Sequence, residues 1–250
     1  MSLAQFCRQI NPIRARNTLG LLNQHKGELY GKLTFADIDF KSEEFEPLKT
    51  TFNHLVVEND RVINGKSTRE RRYAKFTCYK NSDRTSFVQH HQLTFKQDVP
   101  DDRKKIRHFK AIDPCLFRNE AIKDLMGKMT DMVWEIHPEA KSADMSIHQV
   151  RVITHADVEG NNSPEGIHQD GADVIVPAMV FQRSENLSGG ISKTYDFDAK
   201  TLIDETILKE NELNFMQDRK LWHTITKMDI KDKSIEKEYR DILGFDFIVN

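Results

Sequence analysis

The 250-residue chain is poor in cysteine: Cys7, Cys78 and Cys115 are its three, far apart and without a Cys-x-x-Cys spacing. That excludes a disulfide framework and a cysteine zinc site. It suits a reducing compartment, so a cytoplasmic location is expected. An excess of one charge is also lacking. Thirty-seven Lys and Arg stand against 39 Asp and Glu, a formal net charge of −2, which leaves no broad electrostatic footprint for nucleic acid. No apolar run approaches the roughly 20 residues of a membrane span, and the opening MSLAQFCRQINPIR lacks the apolar stretch of a secretory signal. Internal repeats and low-complexity segments are absent too. The expected partner is a small molecule, not a nucleic acid or a membrane.

What is present is a globular composition, 38% hydrophobic and 30% charged, with ten histidines. In EEFEPLKTTFNHLVVE the apolar residues Phe45, Leu48, Phe52, Leu55 and Val56 recur at helical spacing. The same holds for Ile122, Leu125, Met129, Met132, Val133 and Ile136, with Pro138 as a stop signal. A weaker helical pattern occupies about residues 14–30. Runs rich in Val, Ile, Phe, Tyr and Thr follow at 73–79, 86–95, 146–154, 172–181, 191–198, 221–228 and 240–249, separated by turn residues. The pattern predicts one mainly β domain with flanking helices, an antiparallel sandwich or barrel over residues 66–250 preceded by a helical part at 1–65.

The sharpest local feature is PEGIHQDGAD, residues 164–173. His168 and Asp170 are two apart, so on an extended segment both side chains leave the same face. An imidazole and a carboxylate are two thirds of a facial two-His-one-carboxylate iron site. His223, in the strand-like run LWHTITKM, is the candidate third ligand. Arg240 opens the run RDILGFDFIV, where a guanidinium can hold a carboxylate in a bidentate fork.

His-x-Asp, then a distal His, then an Arg on a late strand resembles the ordered signature of the Fe(II)- and 2-oxoglutarate-dependent dioxygenases. More specifically, the chain is similar to the bacterial free-amino-acid hydroxylases typified by L-isoleucine dioxygenase. The likeness runs through RERRYAKF (69–76), IHQVRV (147–152), PEGIHQDGADVIV (164–176), NLSGGISKTYD (186–196), LWHTIT (221–226) and YRDILGFDF (239–247). It implies a double-stranded β-helix, the cupin-like jelly roll, with His168, Asp170 and His223 as iron ligands and Arg240 on the far carboxylate of 2-oxoglutarate. It also implies O2 as oxidant, succinate and CO2 as coproducts, and ascorbate as a supporting reductant. A carboxylate at Asp170 fills the position that relatives with Gly or Ala leave open for halide, which favours hydroxylation.

For substrate binding, Gln149 and Arg151 alternate onto one strand face and are expected to face the cavity, with Arg69, Arg71 and Arg72 as further anion partners. The other histidines, His148 among them, lack a partner at ligand spacing. The run 101–110, DDRKKIRHFK, reads as a solvated loop. Two other readings accompany the amino-acid hydroxylase: the same iron chemistry on a peptide, nucleobase or secondary-metabolite intermediate, and a non-catalytic cupin-like sensing module.

Overall fold

The computed structural model describes residues 30–250 apart from positions 83 and 92; the helical pattern at 14–30 lies outside the described residues except for Tyr30, and Cys7 and His25 lie outside them altogether. Eight antiparallel strands make the principal sheet: β1 (Tyr30–Thr34), β2 (Val56–Val57), β3 (Arg69–Lys80), β4 (Thr85–Gln89), β5 (Ser142–His155), β6 (Val174–Arg183), β9 (Glu212–Met216) and β11 (Lys237–Val249). Their order is β1-β9-β6-β11-β5-β3-β2, with β4 on β3. A second sheet has the order β8-β7-β10, from β7 (Ile191–Tyr195), β8 (Leu202–Ile207) and β10 (Trp222–Ile225). This is the expected jelly roll. Two strands of the principal sheet come from before residue 66.

The long strands alternate two environments. On the outer face Phe76, Met145, Ile147, Phe181, Phe245 and Phe247 join one buried cluster with helix α2 (Glu120–Ile136). That helix forms where the periodicity predicts it. The Asn119 side chain accepts the Ile122 N–H (3.3 Å) at its start, and Leu125, Met126, Met129 and Val133 are buried along one stripe. On the inner face Val150, Val152, Ala178, Val180 and Ile242 form a second cluster. Phe181 is fully buried against Phe35, Phe45 and Phe52, so Phe181→Ala should cost about 3–5 kcal/mol of unfolding free energy in chemical denaturation.

The helix expected over 43–58 is shorter than its periodicity suggests. Only α1 (Glu46–Thr51) is α-helical, between 3-10 turns at Ser42–Phe45 and Phe52–His54. Val56 is exposed and pairs with Arg71 as part of β2, because β-branched residues at a sheet edge fit a ladder better than another helical turn.

Candidate metal centre and its cavity

His168, in the segment between β5 and β6, and His223, on β10, exchange backbone hydrogen bonds, each N–H donating to the other's carbonyl at 2.9 Å. This bridge brings the two imidazoles, 55 residues apart in sequence, to a ring-centre separation of 4.3 Å. Gly171 closes the turn after Asp170. Its φ is +82°, and a Cβ there would lie 2.5 Å from the Asp98 carbonyl oxygen, so both conformation and space require glycine. The fully buried Asp218 carboxylate holds the same turn, accepting the backbone N–H groups of Asp170 (3.0 Å), Gly171 (2.7 Å) and Ala172 (3.2 Å).

Within this frame one donor atom from each of His168, Asp170 and His223 lies within 4.8 Å of the others. His168 Nδ1–H donates to the Gly166 carbonyl (2.8 Å), which leaves the Nε2 lone pair facing Asp170. His223 Nε2 is 3.5 Å from the other carboxylate oxygen. Burial alone would raise the Asp170 carboxyl, but His223, His168 and Arg103 outweigh it and hold it far below the ordinary carboxylate range. Burial lowers His168, as does the neighbouring His223. Two nitrogens and one ionised oxygen converging from two elements match the facial donor set for ferrous iron, so the residues present fit the metal.

Asp218 was not among the candidate residues, and its surroundings in sequence, FMQDRK, carry no ligand spacing. Its Oδ1 lies 3.6 Å from His223 Nδ1, beyond hydrogen-bond length, so the carboxylate that pins the Asp170 turn also faces the His223 ring as a countercharge. Burial pushes it up to about 6 against the pull of His223. Asp218→Ala is expected to weaken ferrous affinity roughly 10–100-fold, the usual loss when a ligand's outer partner is removed, in a chelator competition.

A cavity opens over the triad, with about 120 Å³ reachable by the centre of a water molecule. Its lining identifies the inner face of each strand. Opposed residues of an antiparallel pair share a face, and Arg71, Val150 and Ile242 lie opposite one another across β3, β5 and β11, as do Tyr73, His148 and Gly244. All but Tyr73 line the cavity. Gln149 and Arg151 therefore point the other way, which corrects the expectation that they face the cavity. Gln149 donates to Thr51 Oγ1 (2.7 Å) under helix α1. Arg151 forms a bidentate pair with Asp241 (both contacts 2.7 Å) and lies 4.1 Å above the Tyr239 ring. Both brace the outer side of the sheet. Arg72 is also outward, bonded to the His54 and Ala111 carbonyls.

Arg240 occupies the inward row of β11 that continues as Ile242, Gly244 and Asp246. It is fully buried, and its Nε, Nη1 and Nη2 have no hydrogen-bond partner. Burial pushes it down to about 9, helped by nearby Arg183. A guanidinium in that position fits a carboxylate. Its sequence neighbours of opposite charge are engaged elsewhere, Asp241 by Arg151 and Glu238 by Asn186.

Several lining residues escaped the sequence reading. His148 is buried and neutral, accepting from Arg71 at Nδ1 (3.3 Å) and donating from Nε2 to Asp246 (3.1 Å). The run expected to be a solvated loop supplies Arg103 and Arg107. Arg103 reaches Asp170 (3.4 Å), and Arg107 donates to Gln97, which in turn donates to Asp170 (2.6 Å). Among the described residues no helix is long and apolar enough to cross a membrane.

Residues 49–246 match the family model of the 2OG-Fe dioxygenases. Among curated proteins none matches the sequence. Solved structures with this fold include a BsmA homologue from Methylobium petroleophilum PM1, with a TM-score of 0.80, 16% identity and 92% of each chain covered. IDO from Bacillus thuringiensis has a TM-score of 0.74 and 16% identity, over 95% of this chain and 98% of that one. The Fe(II)/α-ketoglutarate-dependent dioxygenase TqaL has a TM-score of 0.68 and 13% identity, over 92% of this chain and 86% of that one. At these identities the likeness speaks for the fold.

Proposed function

We propose, from the premise that this chain belongs to the 2OG-Fe dioxygenase family, that it hydroxylates an unactivated C–H of a free L-amino acid or a close derivative. Membership makes Fe(II), 2-oxoglutarate and dioxygen its reagents. Bound together they supply an oxidant that puts one oxygen atom into the substrate and the other into succinate, with release of CO2.

The protein's own residues then have distinct tasks. His168, Asp170 and His223 hold the metal on one face. Arg240 takes the far carboxylate of the cosubstrate, and its buried, unpartnered guanidinium is the observation that carries this reading. A non-catalytic sensing module has no use for such a group. Across the cavity Arg71 and Arg107 offer guanidinium N–H groups to an α-carboxylate, while Glu165 and Asp246 are acceptors within reach of the same space for an ammonium. Phe95, Val150 and Ile242 line the cavity with apolar surface and help keep water from the reacting carbon. A small cavity holding both signs of charge favours an amino acid over a peptide or a nucleobase.

The test is incubation of the purified protein with Fe(II), 2-oxoglutarate, ascorbate and a panel of amino acids. The expected result is succinate in one-to-one yield with a product heavier by one oxygen atom. A panel in which no amino acid stimulates succinate release overturns the reading.

A further inference from the structure

We propose that the amino acid taken by this site carries a second acidic group on its side chain, an inference that rests on the amino-acid reading above. It starts from where unpartnered guanidinium nitrogens lie. Among the described residues, four arginines have buried guanidinium nitrogens without a hydrogen-bond partner: Arg61, Arg71, Arg107 and Arg240. The first three line the cavity, and Arg240 continues the inward row of β11. In Arg61, Arg71 and Arg107 the unpartnered nitrogen is Nε, and in Arg240 it is all three; unmet guanidinium N–H groups on one cavity wall are costly and point to an anionic occupant.

The cosubstrate accounts for Arg240 alone, since its other carboxylate belongs at the metal. The protein neutralises the other three only in part: Glu58 acts on all of them, Asp60 and Glu165 on Arg61, Asp246 on Arg71 and Asp170 on Arg107. Glu58 spends both oxygens on Arg69, which binds it through Nε and Nη2, and reaches Arg71 Nε only at 3.3 Å. Arg61 has Asp60 at 4.0 Å. Arg107 meets the uncharged Gln97 and the faces of Phe95 (4.9 Å) and Phe109 (5.8 Å). By contrast Arg103 is paired with Asp101, and Lys193 with Glu205. Burial and its arginine neighbours push Arg71 down to about 10, and burial with Arg69 beside it also lowers Arg61.

An α-carboxylate has two oxygens, enough for one bidentate fork or a bridge between Arg71 and Arg107. Its ammonium goes to Glu165 or Asp246. Arg61 Nε, on the same cavity wall as Asn162 and Ser163, is then still without a hydrogen-bond partner, its ion pair with Asp60 being stretched to 4.0 Å, and an aliphatic side chain would not satisfy it. A side-chain carboxylate or phosphate answers it. The hydroxylation balances as before: R–H, O2 and 2-oxoglutarate give R–OH, succinate and CO2.

The experiment measures substrate-stimulated succinate release by the full-length enzyme with Fe(II) and 2-oxoglutarate. Aspartate, glutamate and O-phosphoserine are compared with leucine, isoleucine and methionine. An acidic amino acid is expected to exceed every aliphatic one in kcat/KM by at least about tenfold, the loss for one unmet charge-assisted contact. Arg61→Leu should shrink that preference through KM for the acidic substrate, with the 2-oxoglutarate KM unchanged. Anaerobic calorimetric titration of the same ligands checks binding without turnover. If the aliphatic amino acids are preferred, the acidic side chain is overturned and the amino-acid reading stands. If neither group stimulates succinate release, both fall. An acid preference that survives Arg61→Leu undiminished in a folded protein overturns the role given to Arg61.

Discussion

Iron binding by His223→Ala or His168→Ala protein is expected to fall by more than about 100-fold, with loss of succinate release, because deleting a ligand exceeds the 10–100-fold cost of deleting its outer partner. Each donor comes from a different constraint. His168 is oriented by the Gly166 carbonyl, Asp170 by a turn pinned on Asp218, and His223 by its strand. Removal of one imidazole leaves two donors that cannot enclose a facial site. The fold should survive, since the bridge between positions 168 and 223 runs through backbone atoms that alanine retains. Circular dichroism melts of metal-free variants should therefore stay within a few degrees of the parent protein. Ferrous stoichiometry, measured after dialysis against a weak chelator, decides the matter. A variant that keeps one iron per chain would sink the ligand assignment.

The triad is legible because the chemistry of its residue types is narrow and their order along the chain is informative; the same order marks Arg240 as a candidate. Facing was harder. Alternation along β5 places Gln149 and Arg151 on one side correctly, but it does not say which side is interior. A shift of one residue exchanges the two faces, and here the inward set is His148, Val150 and Val152. The outward set was plausible because a buried Gln and a paired Arg look the same in sequence whether they brace a sheet or grip a ligand. His148 has no partner close by in sequence; its partners Arg71 and Asp246 are 77 and 98 residues away. Arg103 and Arg107 sit in a charged run that composition assigns to solvent, yet the chain folds that run across the cavity. Asp218 was invisible for a related reason. Its task is to accept three backbone N–H groups, and backbone donors leave no mark on side-chain identity.

Replacing Arg240 with methionine should separate binding from stability in opposite directions. The substitution removes a buried charge with no protein partner and keeps most of the side chain's length. A buried ionic group exchanged for an apolar one of similar volume is often neutral or stabilising by about 1–4 kcal/mol. At this chain length each 1 kcal/mol moves Tm by roughly 2–4 °C, so the ligand-free variant should melt no lower than the parent and up to several degrees higher. Affinity for 2-oxoglutarate should do the reverse. Truncating one partner of a buried charge pair costs about 2–5 kcal/mol, so the 2-oxoglutarate KM is expected to rise by roughly 30-fold or more. Ferrous affinity should stay within about twofold, because Arg240 touches none of the three ligands. The two readouts discriminate between roles that a simple loss of activity would merge. An arginine kept for the fold would lower Tm on replacement and leave the 2-oxoglutarate KM alone. An arginine kept for a dicarboxylate tolerates its own removal from the empty protein and shows its purpose when the cosubstrate is offered.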